Sequence, residues 1–141
     1  MSITYICSPY SGQTEQETNR NIVYAVHLMG EAIKAGDVPV VPHLYLPNAL
    51  DDRIETERMK AMEIGIRLLC QCRRMIVGLR FGISDGMHEE ILAAVDAGMP
   101  ILWIDATPED ITVIRKYQYQ LDIERKTKPH RTVLPTQTVT T

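Results

Sequence analysis

The chain has 141 residues with a formal net charge of -3, and it is 45% hydrophobic and 23% charged. That length supports one domain with one core, and the slight acidic excess argues against a nucleic-acid-binding surface. No apolar run approaches the roughly 20 residues that span a bilayer, and residues 1–6 lack the basic and long apolar segments of a signal peptide.

Four short apolar runs, Ile3–Cys7, 38–41, 75–79 and Ile101–Ile104, alternate with amphipathic segments. Each run is rich in Val, Ile and Leu without strict alternation, which predicts strands covered on both faces. After the first run, Thr14 with Glu17 three residues on makes a capping box. The helix it starts carries Ile22, Val26, Met29 and Ile33 at helical spacing, with Ala25 and Ala32 on the same side, and Gly36 follows as its C′ residue. A second helix is predicted over about 55–70, with Met59, Met62, Ile66 and Leu69 as its buried stripe. A third starts after Ser84-Asp85-Gly86, turns Ile91, Ala94 and Val95 inward, and closes at Gly98. Thr107-Pro108-Glu109-Asp110 is a helix start, with a capping hydroxyl, proline at the first helical position and first-turn acids. Beyond about Leu121 periodicity fades, so the reading is one domain over 1–124 and a polar tail over 125–141. Strand–helix alternation with right-handed crossovers makes this an α/β domain, a parallel sheet with helices on both faces.

Cys7, Cys70 and Cys72 are an odd and closely spaced set, a poor disulfide framework that fits a reducing cytoplasm. Cys70-Gln71-Cys72 has the wrong spacing for a zinc knuckle, so no metal is expected. Walker A and G-x-G-x-x-G motifs are absent, so neither ATP hydrolysis nor dinucleotide redox chemistry has support.

In an open parallel sheet, ligands bind beyond the carboxyl ends of the strands. That rule selects three segments: Ser8-Pro9-Tyr10-Ser11-Gly12, Pro42-His43-Leu44-Tyr45, and residues 80–90. Ser8 and Ser11 offer hydroxyls, Tyr10 an aromatic face with a polar tip, and Gly12 a close backbone approach. Ser84, Gly86 and Met87 stand at a helix start, where free N–H groups favour an anionic group. Singly, each feature reads as well as a turn or a cap, and His43 as well as a hydrogen-bonded loop residue. Together, on one edge of one sheet, they point to a site.

Tyr5-Ile6-Cys7-Ser8-Pro9-Tyr10, Asn21, Val40-Val41-Pro42-His43, Leu46-Pro47, Leu50-Asp51-Asp52, Ala61-Met62-Glu63-Ile64-Gly65 and Ser84-Asp85-Gly86-Met87-His88-Glu89-Glu90-Ile91 resemble the nucleoside 2-deoxyribosyltransferase superfamily. Within it, the similarity is to a small bacterial and phage branch often labelled a domain of unknown function. Ser84-x-Gly86-x-x-x-Glu90 resembles the nucleophile motif of the transferases and of deoxynucleotide N-hydrolases. The resemblance implies a flavodoxin- or Rossmann-like sheet, a homodimer or higher oligomer, and a nucleoside or nucleotide ligand. It also implies a covalent glycosyl intermediate on Glu90, with no cofactor.

Tyr10 is expected to orient that carboxylate or pack on the ligand, and Asn21 to contact the ligand or cap its helix. First-turn placement is expected to lower the Glu90 pKa. One departure stands out: relatives of this kind carry Cys-Asp before the third strand, whereas here Cys72 is followed by Arg73 and Arg74. The start of a parallel strand lies opposite the site, so solvated arginines at the strand entrance are the favoured reading. The same pocket holding a nucleotide without cleaving it is the alternative function.

Overall fold

Strand β1 (Ile3–Cys7) is the organising strand, flanked by β2 (Val38–Val40) on one side and β3 (Arg74–Gly78) on the other. With β4 (Ile101–Ile104) outside β3, the order is β2-β1-β3-β4 and every pairing is parallel. The computed structural model describes residues 1–127. Between and after the strands lie α1 (Glu15–Lys34), α2 (Glu55–Leu69), α3 (Asp85–Asp96) and α4 (Ile111–Thr127). Short 3-10 turns at Pro42–Leu44 and Leu46–Asn48 lead from β2 toward α2, and a third, Pro108–Asp110, precedes α4. Helix α4 runs to Thr127, three residues into the segment read as a tail. The rest of that segment lies outside the described residues.

Alternation along the strands divides the core. Tyr5, Cys7, Met75 and Val77 point to one face, where Leu69 of α2, Met87, Ile91 and Ala94 of α3, and Leu121 of α4 close over them. Ile6 and Ile76 point to the other face and meet Tyr24, Ala25, Leu28 and Ala32 of α1. The strand order reverses direction between β1 and β3, so the loops after these strands splay apart and open a crevice at their carboxyl ends.

Two predicted stripes are corrected. On α1 the inward residues are Asn21, Tyr24, Ala25, Leu28 and Ala32, while Ile33 is 57% exposed and Val26 is also exposed. The helix is rotated because Tyr24 and Leu28 reach over β3, and these longer side chains set the contact that Val26 and Ile33 were expected to make. On α2 only Gly65 and Leu69 are buried, and Met59 is 61% exposed. The first half of α2 leans over the crevice, not the sheet, so the apolar spacing there serves a cavity wall at Met62.

Other local signals act as read. The Thr14 hydroxyl accepts the Glu17 N–H at 3.1 Å, although the Glu17 carboxylate reaches back to the Gln13 N–H rather than to Thr14. The Ser84 hydroxyl accepts the Met87 N–H at 3.2 Å and starts α3. Gly36 and Gly98 end α1 and α3 in the left-handed region at φ +89° and +70°.

Packing of α1 on β3 depends on Gly78. A Cβ there would lie 2.5 Å from Leu28 Cδ1 and 2.7 Å from the Tyr24 hydroxyl. Gly78→Ala is expected to lower stability by about 1–3 kcal/mol through overpacking. Urea denaturation should show a lower midpoint with an unchanged m value.

Candidate active site

The crevice is a cavity of about 330 Å³ built from the loop after β1, the two turns after β2, the first half of α2 and the start of α3. Its floor is buried: Tyr5, Ser8, Pro42, Gly65 and Met87 are all almost inaccessible to solvent. Its rim is exposed and carries Ser11, Pro47, Asp52, Arg58, Ser84 and Asp85. Leu46, Leu50, Ala61 and Met62 make an apolar wall between them.

Glu90 reaches the floor from the second turn of α3, one turn beyond Gly86 on the same helical face. Its Oε2 accepts a 2.5 Å hydrogen bond from the Tyr5 hydroxyl, which projects from β1. While Glu90 is ionised this bond is charge-assisted, roughly twice as strong as a neutral one. Gly65 of α2 makes room for the pair: a Cβ there would stand 3.2 Å from the Tyr5 hydroxyl and 3.6 Å from Glu90 Oε2.

Burial pushes the Glu90 carboxyl up to about 7, and hydrogen bonds from Tyr5 and Cys7 offset only part of that rise. The expected lowering by the helix terminus is therefore corrected. Glu90 lies past the first turn, where the dipole has faded, and desolvation dominates. Burial together with the adjoining carboxylate raises the Tyr5 phenol well above its ordinary range, so Tyr5 is the donor.

Across the floor, Ser8 Oγ and His43 Nε2 are 2.9 Å apart. Burial pulls the His43 imidazole down to about 4, so it is neutral around pH 7. At the rim, the Ser11 hydroxyl donates to the Asp52 carboxylate, a second tie between the loop after β1 and the segment after β2. Arg58, the cation of the lining, pairs with Glu55 at 2.8 Å one turn back on α2.

Eight of the residues singled out in the sequence line this cavity: Ser8, Tyr10, Ser11, His43, Ser84, Gly86, Met87 and Glu90. Pro9, Gly12 and Asn21 do not. Asn21 is buried and its side-chain amide donates to the Tyr10 carbonyl at 2.9 Å, which pins the loop from behind. Gly12 presses on the start of α1, where its N–H donates to Thr18 Oγ1 at 2.9 Å. Tyr10 lines the cavity, but the hydroxyl that orients Glu90 belongs to Tyr5.

Tyr5 and Gly65 stand in segments that carry the resemblance, but sequence reasoning gave neither a role at the site. Tyr5 sits inside an apolar strand and reads as core, and its partner lies 85 positions away. Arg73 and Arg74 stand at the entrance of β3, at the sheet edge opposite the cavity, where Arg74 bonds the Asp37 carboxylate and Thr4 Oγ1.

Fold and site together define an open α/β domain whose switch-point cavity is floored by a tyrosine-held carboxyl group. Residues 2–104 match the model of a domain of unknown function, DUF7768, and the chain belongs to that family. No curated protein matches. Among solved structures, a 2-deoxyribosyltransferase from the psychrotolerant bacterium Bacillus psychrosaccharolyticus shares the fold. Its TM-score is 0.58 at 12% identity, over 86% of this chain and 90% of that one. Among the described residues no helix is long and apolar enough to cross a membrane.

Two outcomes follow from a buried carboxyl with a raised pKa. Its ionisation opposes folding, so stability from the protonated form is complete below the unfolded value near 4.3 and is lost as pH rises through about 7. Glu90→Gln, which cannot ionise, should gain about 1–3 kcal/mol over wild type at pH 8 and much less at pH 4.5. Thermal melts at both pH values read this directly. Gly65→Ala, by crowding the Tyr5 hydroxyl, should shift the Glu90 titration with little change in secondary structure, as followed by carboxyl NMR.

Proposed function

We propose that this protein breaks the N-glycosidic bond of a nucleoside or nucleotide, with Glu90 attacking the anomeric carbon of the sugar. The observation that carries the reading is Glu90 itself, a carboxylate at the cavity floor held by the Tyr5 hydroxyl at 2.5 Å. The shared fold with a 2-deoxyribosyltransferase supports the substrate class. In such a step, one Glu90 oxygen forms a bond to the anomeric carbon as the bond to the base nitrogen breaks, and the departing base takes the electron pair and then a proton from solvent. Water or a second base then displaces Glu90 from the sugar, which makes the net reaction hydrolysis or transfer. The anion beside an oxocarbenium-like transition state stabilises it strongly in a water-poor site. Ser8, Ser84 and Gly86 line the cavity with Leu46, Leu50 and Met62; in this reading the hydroxyls and the amides around Gly86 hold sugar hydroxyls or a phosphate, and the apolar wall covers the base.

A second reading has its own support. With a carboxyl pKa raised to about 7, a large share of Glu90 is protonated at neutral pH and donates a hydrogen bond instead of attacking. The protein is then a nucleotide-binding module.

The two separate in one experiment. The protein is incubated with nucleosides, nucleoside monophosphates, NAD and cyclic nucleotides, and free base is followed by chromatography. Catalysis gives time-dependent base release that Glu90→Ala abolishes; binding alone gives intact ligand with both proteins. Because attack needs the ionised form, log kcat/KM should rise with pH, with unit slope, up to about 7 and level above it. Tyr5→Phe removes the donor that favours the carboxylate, so the rising limb should move to higher pH, with most of the lost rate recovered there.

A further inference from the structure

On the α1 face of the sheet, behind the cavity, Tyr24, Arg80 and Asp105 form a closed set of contacts. The Tyr24 hydroxyl donates to Asp105 Oδ2 at 2.7 Å and accepts the backbone N–H of Arg80 at 3.3 Å. The Arg80 guanidinium reaches the same Asp105 oxygen at 3.2 Å and stacks over the Tyr24 ring at 4.6 Å. Phe81 packs edge-on to Tyr24 at 5.4 Å and is covered by Arg20 at 3.9 Å. Tyr24 is buried, and it reaches this point because Gly78 has no side chain.

Asp105, directly after β4, is at φ +61°, the one non-glycine residue at positive φ among those described. Aspartate enters the left-handed region more readily than most L-residues, and glycine would meet that geometry with no penalty at all. The carboxylate is what glycine would lack, and the carboxylate holds Tyr24 and Arg80. Residue 80 opens the loop between β3 and α3. The chain turns at Gly82, at φ +86°, and two residues later delivers Ser84 and Gly86 to the cavity rim.

We infer that Tyr24, Arg80 and Asp105 are positioning residues: a lock that fixes the loop between β3 and α3, and through it the Ser84–Gly86 contact with the ligand. The inference rests on the glycosidase reading for its ligand, but the lock itself is readable without one. A non-glycine residue kept at positive φ, with its carboxylate bonded to the loop that reaches the cavity rim, is what supports the lock.

The test compares Tyr24→Phe, Asp105→Gly and Asp105→Asn with wild type. Asp105→Gly eases the backbone but removes the acceptor shared by Tyr24 and Arg80, so Tm does not separate the readings and KM does. A purely structural role leaves KM unchanged, whereas the lock predicts a KM raised about tenfold and a kcat within about twofold, the loss of a hydrogen bond to a charged group. Asp105→Asn tolerates the left-handed backbone and keeps an acceptor oxygen, so it should recover most of the wild-type KM. Amide hydrogen exchange, followed without ligand, should quicken at residues 80–87 in Tyr24→Phe and Asp105→Gly while β1 stays protected. Wild-type KM in both variants overturns the inference, whether or not exchange quickens. If wild type releases no base from any compound in the panel, the glycosidase reading has failed, and exchange at 80–87 decides the lock by itself.

Discussion

A carboxyl group taken out of water resists ionisation unless something holds its charge, and the arrangement around Glu90 answers that constraint. The Tyr5 hydroxyl supplies a short hydrogen bond from below, and burial supplies the opposing push, which leaves the group near pH 7. Every neighbouring element is bent to this contact. β1 must place residue 5 on the α3 side of the sheet, α3 must start at Ser84 for residue 90 to face inward, and α2 must bring a glycine to the crossing. A one-residue slip of β1 would turn Tyr5 to the α1 face and leave the carboxyl with neither water nor donor, a cost of several kcal/mol.

The sheet thus carries two polar clusters on its two faces, both at its carboxyl edge and both fitted through a missing side chain. Gly65 admits the Tyr5–Glu90 pair on one face, and Gly78 admits Tyr24 and its bond to Asp105 on the other. Between them runs the stretch from β3 to α3, from Gly78 through Arg80 to Ser84 and Glu90. Residues far apart in role are therefore within a dozen positions in sequence, and the strand order places them at the one point where loops diverge.

The fold was legible because it rests on local signals. Strand-like apolar runs, the Ser84 and Thr14 caps, and the terminal Gly36 and Gly98 act within four residues of themselves. The loops forming the cavity were legible for the same reason, since the sheet rule needs only strand ends. What escaped was partnership across distance. The periodicity of Ile22, Val26, Met29 and Ile33 does define an apolar stripe, but two longer side chains at Tyr24 and Leu28 rotate the helix away from it. Tyr5 could not be told from a core tyrosine, because a phenol and a carboxylate 85 positions apart carry no shared pattern. The sign of the Glu90 shift failed for a related reason: dipole effects are read from helix position, whereas desolvation depends on walls that the chain supplies from four other segments.

The two arginines before β3 show how topology, and not composition alone, decides electrostatics. In sequence, Arg73 and Arg74 follow Cys72, where similarity leads one to expect an acid, and composition alone does not say which edge of the sheet they serve. In space, Arg74 lies at the amino edge of the sheet, where its hydrogen bond lowers the pKa of the Asp37 carboxylate, a full strand length from the cavity. At ordinary ionic strength a surface charge at such a distance is largely screened. The cavity therefore feels its own lining: Asp52 and Asp85 at the rim, Arg58 tied to Glu55, and Glu90 poised between its two forms. An acidic rim of this kind repels added negative charge, and Arg58 and the N–H groups at the start of α3 oppose it. The balance between those donors and the rim acids, rather than the arginine pair in the sequence, sets the electrostatics of the cavity.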